Sequence, residues 1–295
     1  MNADIKLALG TVQFGCDYGV SNDQGQVSAQ EINNILSLAA EVGITTLDTA
    51  SIYGNSEQAL GQSKLASQFN IVSKIPSLES AESSDKIKQI IEKSLTQLKI
   101  TQLDAVLFHQ VDDLIHTPLA QARLDTLIEQ KKSGSIKKLG VSVYTPTQLK
   151  YCLNNFNIDI VQLPLNALDQ RFIATGLLEK LAARGIEVHC RSVFLQGLLL
   201  MDIKELAPYF LPYLAPLKKF AKMAQTLTIS PLALSLAIAC QQKHINKIIV
   251  GCCNEQQLQE IIDAYRIAKT ITDDLTSLAY HDEQLILPYN WQLGG

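Results

Sequence analysis

Asp48, Tyr53, Lys74 and His109 are the residues whose types and order best fit proton-transfer chemistry. Asp48, Lys74 and His109 each close a short apolar run, about one strand–helix unit apart, and Tyr53 lies in the loop just beyond Asp48. A phenol has a pKa of about 10, too high to shuttle protons freely at neutral pH. A nearby Lys74 ammonium favours the phenolate and is expected to lower that value. Asp48 can pair with Lys74, keeping it charged and fixing its direction, and His109 can hydrogen-bond the tyrosine oxygen or a substrate oxygen. Such a group suits protonation of an alkoxide, or deprotonation of an alcohol in reverse. Singly, each residue reads as a solvated charge or a satisfied core group, and it is their occupation of consecutive strand ends that argues for function. His116, His189, His244 and His281 lack that setting and read as structural or surface residues.

The elements that must position these groups follow from periodicity. Strands are expected at 6–10, 44–48, 70–74, 103–109, 136–143, 158–163, 186–191 and 247–250. Between them the pattern turns helical. Ser28 and Glu31 read as a capping box for a helix through Glu41, a second helix starts at Ser56, and a third runs from Ser84 to Leu98 with Ile87, Ile90, Ile91, Leu95 and Leu98 at helical spacing. Further helices are expected from Pro118 to Lys132, near Thr147 and Phe172, and over Pro216–Gln225 and Glu255–Ala268. Eight strand–helix units without a composition break predict one α/β domain over 1–295, a (β/α)8 TIM barrel whose site lies at the C-terminal strand ends. An open dinucleotide-binding sheet is disfavoured, because Gly10 and Gly15 have the wrong spacing for a phosphate-binding turn. The stretch 195–218 exceeds an ordinary connection and reads as a functional loop over the open face.

Composition excludes other classes. The 295 residues are 47% hydrophobic and 18% charged, so the chain is not disordered. With 25 basic against 29 acidic residues the net charge is −4, and no basic field attracts nucleic acid or a membrane surface. The apolar windows Ser192–Met201 and Leu232–Cys240 are too short to span a bilayer. Met1–Asp4 lacks the basic start of a signal peptide, so a cytoplasmic protein is expected. Six scattered cysteines show no metal-ligand spacing, no metal is expected, and the adjacent Cys252 and Cys253 read as incidental rather than as a redox switch.

The segments Leu47-Asp48-Thr49-Ala50-x-x-Tyr53-Gly54-x-Ser56-Glu57, Val72-Ser73-Lys74 and Leu107-Phe108-His109 resemble the aldo-keto reductase family, and the similarity extends over almost the whole chain. The resemblance implies that Asp48, Tyr53, Lys74 and His109 form a catalytic tetrad with Tyr53 as general acid/base. The implied reaction is interconversion of an aldehyde, ketone or sugar with an alcohol, using NADPH or NADH. It also implies cofactor contacts from Thr11 and Asp48, from Ser142 and Gln162 at the nicotinamide carboxamide, and from Arg191 stacked on the ring. Ser192, Phe194, Gln196 and Gly197 would cover the pyrophosphate. Val143 stands where the family has an asparagine. The 2′-phosphate slots hold Gly251, Cys252 and Gln257, so two positive charges are missing, although Asn254 and the helix N-terminus offer backbone N–H groups. The expectation is a small preference for NADPH, a small-molecule partner, and a monomer or weak homo-oligomer. A noncatalytic nicotinamide-binding subunit and a Schiff-base lyase using Lys74 are the alternatives.

Overall fold

Parallel strands covered on both faces must be built from near-continuous apolar residues, and the eight short runs meet that condition. In the computed structural model, which describes residues 5–20, 22, 24–78 and 84–293, they pair in sequence order into a closed parallel barrel. The strands are β1 (Leu7–Gly10), β2 (Thr46–Asp48), β3 (Asn70–Ile75), β4 (Leu103–Phe108), β5 (Ile136–Ser142), β6 (Ile160–Pro164), β7 (Glu187–Arg191) and β8 (Lys247–Gly251). β8 closes on β1 with Gly251 opposite Gly10, which leaves no sheet edge. Predicted strand bounds hold to within about two residues. Met1–Asp4, on which the signal-peptide expectation rests, lie outside the described residues.

The main helices are α1 (Ala29–Glu41), α2 (Ser56–Gln62), α3 (Ser84–Leu98), α4 (Ala120–Ser133), α5 (Pro146–Asn155), α6 (Leu177–Ala183), α7 (Leu214–Thr226), α8 (Pro231–Gln241) and α9 (Glu255–Ala268). Apolar faces such as Ile32, Ile35 and Leu36 of α1 and Leu258, Ile261 and Ile262 of α9 pack against the barrel. A smaller cluster of Val72, Ala105, Leu107 and Ile160 forms a layer of its own. Val72 lies two residues before Lys74 on the same strand face, so this layer sits directly below the site.

Three details differ from the sequence reading. Helix α8 is added: residues 233–239 are all buried, so the segment carries no periodic polar face. The stretch 195–218 is not one loop over the open face. Its start lines the cavity, its middle makes 3-10 turns against the C-terminal segment (Phe210 packs on Trp291 with ring centroids 4.9 Å apart), and α7 begins already at Leu214. The Ser28–Glu31 box is half formed. The Ser28 hydroxyl accepts the Glu31 N–H, but the Glu31 carboxylate turns to the N–H of Glu255. Among the described residues no single helix is long and apolar enough to cross a membrane, and no cluster of three His, Cys, Asp or Glu is placed to hold a metal ion.

Candidate active site

Strand alternation turns Asp48 and Lys74 inward at the ends of β2 and β3. Lys74 Nζ lies 2.6 Å from Asp48 Oδ2, with the two side chains 1% and 6% exposed. Nζ also donates to the Thr49 carbonyl at 2.9 Å. From β6, Gln162 Nε2 donates to the other carboxylate oxygen, Oδ1, at 2.7 Å. Gln162 therefore holds Asp48 as well as lining the cavity. Lys74 Nζ stands 5.1 Å from the centroid of the Tyr53 ring. The Tyr53 and His109 rings meet edge to face, with centroids 5.9 Å apart at 81°. The structure thus brings all four residues to one barrel mouth. Lys74, however, is buried behind Asp48 instead of projecting into the cavity.

The loop carrying Tyr53 is held by polar contacts and by close backbone packing. Ser56 Oγ donates to the Thr11 carbonyl at 2.8 Å and lies 2.9 Å from Thr11 Oγ1, while Thr11 Oγ1 donates to the Asp48 carbonyl. Ser51 Oγ donates to the Lys74 carbonyl. At the base of α2, Glu57 accepts from Ser73 at 2.6 Å. Ser56 and Glu57 therefore position the loop from behind. Gly15 and Gly54 let two turns cross: a Cβ on Gly15 would lie 1.7 Å from the Tyr53 carbonyl oxygen, and Gly54 adopts φ +54 with its own Cβ position 2.1 Å from the Gly15 oxygen.

Electrostatics overturn one expectation. Burial pushes the Tyr53 phenol well above its ordinary range, the Asp48 carboxylate adds to the rise, and Arg191 opposes it only in part. The net direction is upward although the Lys74 ammonium stands 5.1 Å from the ring, with Asp48 paired to it at 2.6 Å. Burial also pushes Lys74 down, against the pull of Asp48. His109 is pushed down to about 4, by burial first and then by Lys74 and Arg191, so its imidazole is neutral at pH 7.

These groups open into a cavity of about 660 Å³, within the usual range of roughly 300–1,000 Å³ for ligand and cofactor sites. Thr11, Gln162, Arg191, Ser192, Phe194, Gln196, Gly197, Gly251, Cys252 and Gln257 line it together with Asp48, Tyr53 and His109. Ser142 sits beside Gln162 in the β5–β6 register and is fully buried; its Oγ has no hydrogen-bond partner among the described residues. Ser192, Leu195, Gln196 and Gly197 all have positive φ, between 49 and 95. For residues with a Cβ that conformation costs about 1–2 kcal/mol each, a strain typical of binding loops. Burial pushes the Cys252 thiol upward, away from thiolate reactivity.

Sequence reasoning missed several cavity residues: Gln13, Tyr18, Ile52, Gln110, Tyr144 and Glu260. Tyr144 is the most connected. Its ring lies 4.3 Å from the Arg191 guanidinium carbon and stands edge-on to Tyr289 of the C-terminal segment at 5.1 Å. Arg171 bonds both the Tyr144 carbonyl and Glu283, with Asp169 bracing it. The available signal was the aromatic residue directly after the Ser142-Val143 strand end.

A parallel barrel with a titratable cluster at the C-terminal ends of its strands is the architecture of a barrel enzyme. The chain belongs to the aldo/keto reductase family, whose model matches residues 6–283, and is an oxidoreductase of that family. It is 24% identical over 281 residues to the uncharacterized oxidoreductase YqkF of Bacillus subtilis, covering 85% of this chain and 87% of that one. It is 23% identical to L-glyceraldehyde 3-phosphate reductase of Escherichia coli O157:H7 over 89% of this chain and 87% of the relative. Among solved structures, the holo form of aldo-keto reductase AKR11C1 from Bacillus halodurans has the same fold, with a TM-score of 0.72 at 19% identity over 94% of both chains.

Proposed function

We propose that this chain interconverts an aldehyde or ketone with an alcohol using NADH or NADPH, with Tyr53 as the proton donor and acceptor. The observation that carries the reading is Tyr53 at the wall of the cavity, against His109 and above the buried Lys74–Asp48–Gln162 chain. The residues fit a nicotinamide dinucleotide. The cavity runs from Tyr53 to the start of α9, the strained 192–197 loop borders it, and Gln162 lies on its wall, whereas the expected carboxamide partner Ser142 is fully buried beside Gln162 and does not line the cavity. When bound, the dinucleotide supplies or accepts the hydride.

The chain's own residues manage the proton. Tyr53 holds its proton at neutral pH because its phenolate is desolvated and faces Asp48, so it can give that proton to a substrate oxygen as charge develops there. Neutral His109 orients the same oxygen by hydrogen bonding. Lys74 and Asp48 fix the polarity behind Tyr53, and Gln162 keeps Asp48 from rotating. Tyr18, Ile52 and Tyr144 give the mouth an aromatic and apolar wall. Arg191 is the single cation among the described lining residues, and it is committed to the Val143 carbonyl, Ser192 Oγ and the Tyr144 ring. An uncharged aldehyde, ketone or sugar suits this mouth better than the phosphorylated substrate in the name of the E. coli relative.

The Schiff-base alternative is disfavoured, since Lys74 is 1% exposed and its ammonium is engaged by Asp48 and Thr49. The test is a panel of aldehydes, ketones and unphosphorylated sugars with each dinucleotide, followed by oxidation of reduced-nicotinamide absorbance. Binding of a dinucleotide with no turnover on any substrate would instead support the noncatalytic subunit.

A further inference from the structure

The far end of the cavity is formed by Gly251, Cys252, Cys253, Gln257 and Glu260, where β8 passes into α9. On the reading above, this end receives the adenosine ribose. An exposed helix N-terminus there would welcome an extra phosphate through its free N–H groups and positive dipole. In this chain three N–H groups of this junction are already engaged. Gln257 Oε1 accepts the Cys253 N–H at 2.7 Å, and Asn254 Oδ1 accepts the Gln257 N–H at 2.8 Å. The Glu255 N–H is held by the carboxylate of Glu31, which reaches over from α1 to a distance of 2.5 Å. The charge of Glu31 is felt at the cavity wall, where it adds to the upward shift of the Cys252 thiol. Glu260 contributes a second carboxylate to the lining, and no lysine or arginine lines this end among the described residues.

We infer that Glu31 is a cofactor-specificity residue that occupies the anion position at the start of α9 and makes the chain select NADH over NADPH. The inference rests on the dinucleotide reading of the cavity. The Glu31 carboxylate accepts the Glu255 N–H through one oxygen and the Asn34 amide, at 3.3 Å, through the other, which sets a negative charge behind the cavity wall. A 2′-phosphate brings nearly two further negative charges to this place, which has no counter-cation among the described lining residues. The inferred NADH preference is opposite to the small NADPH preference expected from the sequence. Of the N–H groups at the start of α9, those of Glu255 and Gln257 are engaged by Glu31 and Asn254.

The experiment is titration calorimetry of the full chain with NADH, NADPH, ADP-ribose and 2′-phospho-ADP-ribose, for the natural protein and for Glu31→Gln. Glutamine preserves an acceptor for the Glu255 N–H, so the junction of α1 and α9 stays intact, and circular dichroism checks the fold. The natural protein is expected to bind NADH at least tenfold more tightly than NADPH, with the same order for the two fragments. Glu31→Gln is expected to tighten NADPH at least fivefold and to change NADH by threefold or less. A natural protein that binds NADPH as tightly as NADH, or a Glu31→Gln variant with an unchanged ratio, overturns the inference while leaving the dinucleotide reading intact. Failure of all four ligands to bind overturns that reading and this inference together.

Discussion

The Lys74 ammonium and the Asp48 carboxylate form a 2.6 Å ion pair that solvent scarcely reaches. Such a pair gains little over an apolar replacement of both partners, yet breaking it from one side strands a charge in the interior, at a cost of about 3–5 kcal/mol. Lys74→Met is therefore expected to lower unfolding free energy by that amount. Lys74→Met combined with Asp48→Asn is expected to recover part of it. Urea unfolding of the two variants checks this, and equal losses would show that the pair is not coupled.

Tyr53→Phe removes only the phenolic oxygen and leaves the ring against His109. Dinucleotide affinity is expected to stay within about twofold, while turnover falls by roughly 10² or more, the scale of general acid catalysis. Near-normal turnover on a good substrate would remove Tyr53 from its proposed role.

The protonation states set the pH dependence. Because the Tyr53 phenol is held above its ordinary value by burial and Asp48, the acid form persists through neutral and mildly alkaline pH. His109, pushed down to about 4, stays neutral to well below pH 6. Reduction is thus expected to be flat from about pH 6 to 9, with an unperturbed phenol pKa of about 10 as reference. Oxidation needs the phenolate, so its rate should climb with pH and reach no plateau below about pH 10. Steady-state rates in both directions, with chemistry shown to be rate-limiting, test this. An oxidation plateau near pH 8 would mean that Lys74 does lower the phenol.

The crossing of Gly15 and Gly54 leaves no room for a methyl group, since a Cβ on Gly15 would sit 1.7 Å from the Tyr53 carbonyl and 2.5 Å from Ser56 N. Gly15→Ala is expected to displace the Tyr53 loop, lowering kcat at least tenfold and the Tm by several degrees. Kinetics and thermal unfolding of the variant check both. An active, fully stable variant would show that the loop has slack.

The barrel and the strand-end residues Asp48, Lys74 and His109, with Tyr53 just beyond Asp48, were legible because a parallel barrel writes them plainly: apolar runs, each stopped by a polar residue at the mouth. Lys74 was legible in place but not in effect, since burial and its pairing with Asp48 arise only when β2 and β3 lie side by side. Helix α8 escaped because a helix buried all round has no polar stripe to reveal its period. Tyr18, Ile52 and Tyr144 escaped because loops have no period at all. The contact of Glu31 with Glu255 spans 224 positions and exists only because the barrel closes β8 onto β1, which brings their following helices together. Read locally, Glu31 was simply the second half of a capping box.

The Tyr144 wall stands on Arg191, on Arg171 and on Tyr289 of the C-terminal segment, while Tyr53, the proposed proton donor, stands on β2, β3 and the Gly15 turn. On the proposed function, chemistry and selectivity thus have separate foundations in the chain. Changes in the segment after α9 can reshape what enters the mouth while the proton donor keeps its place. A library confined to residues 281–291 is accordingly a route to new substrates that spares the turnover machinery.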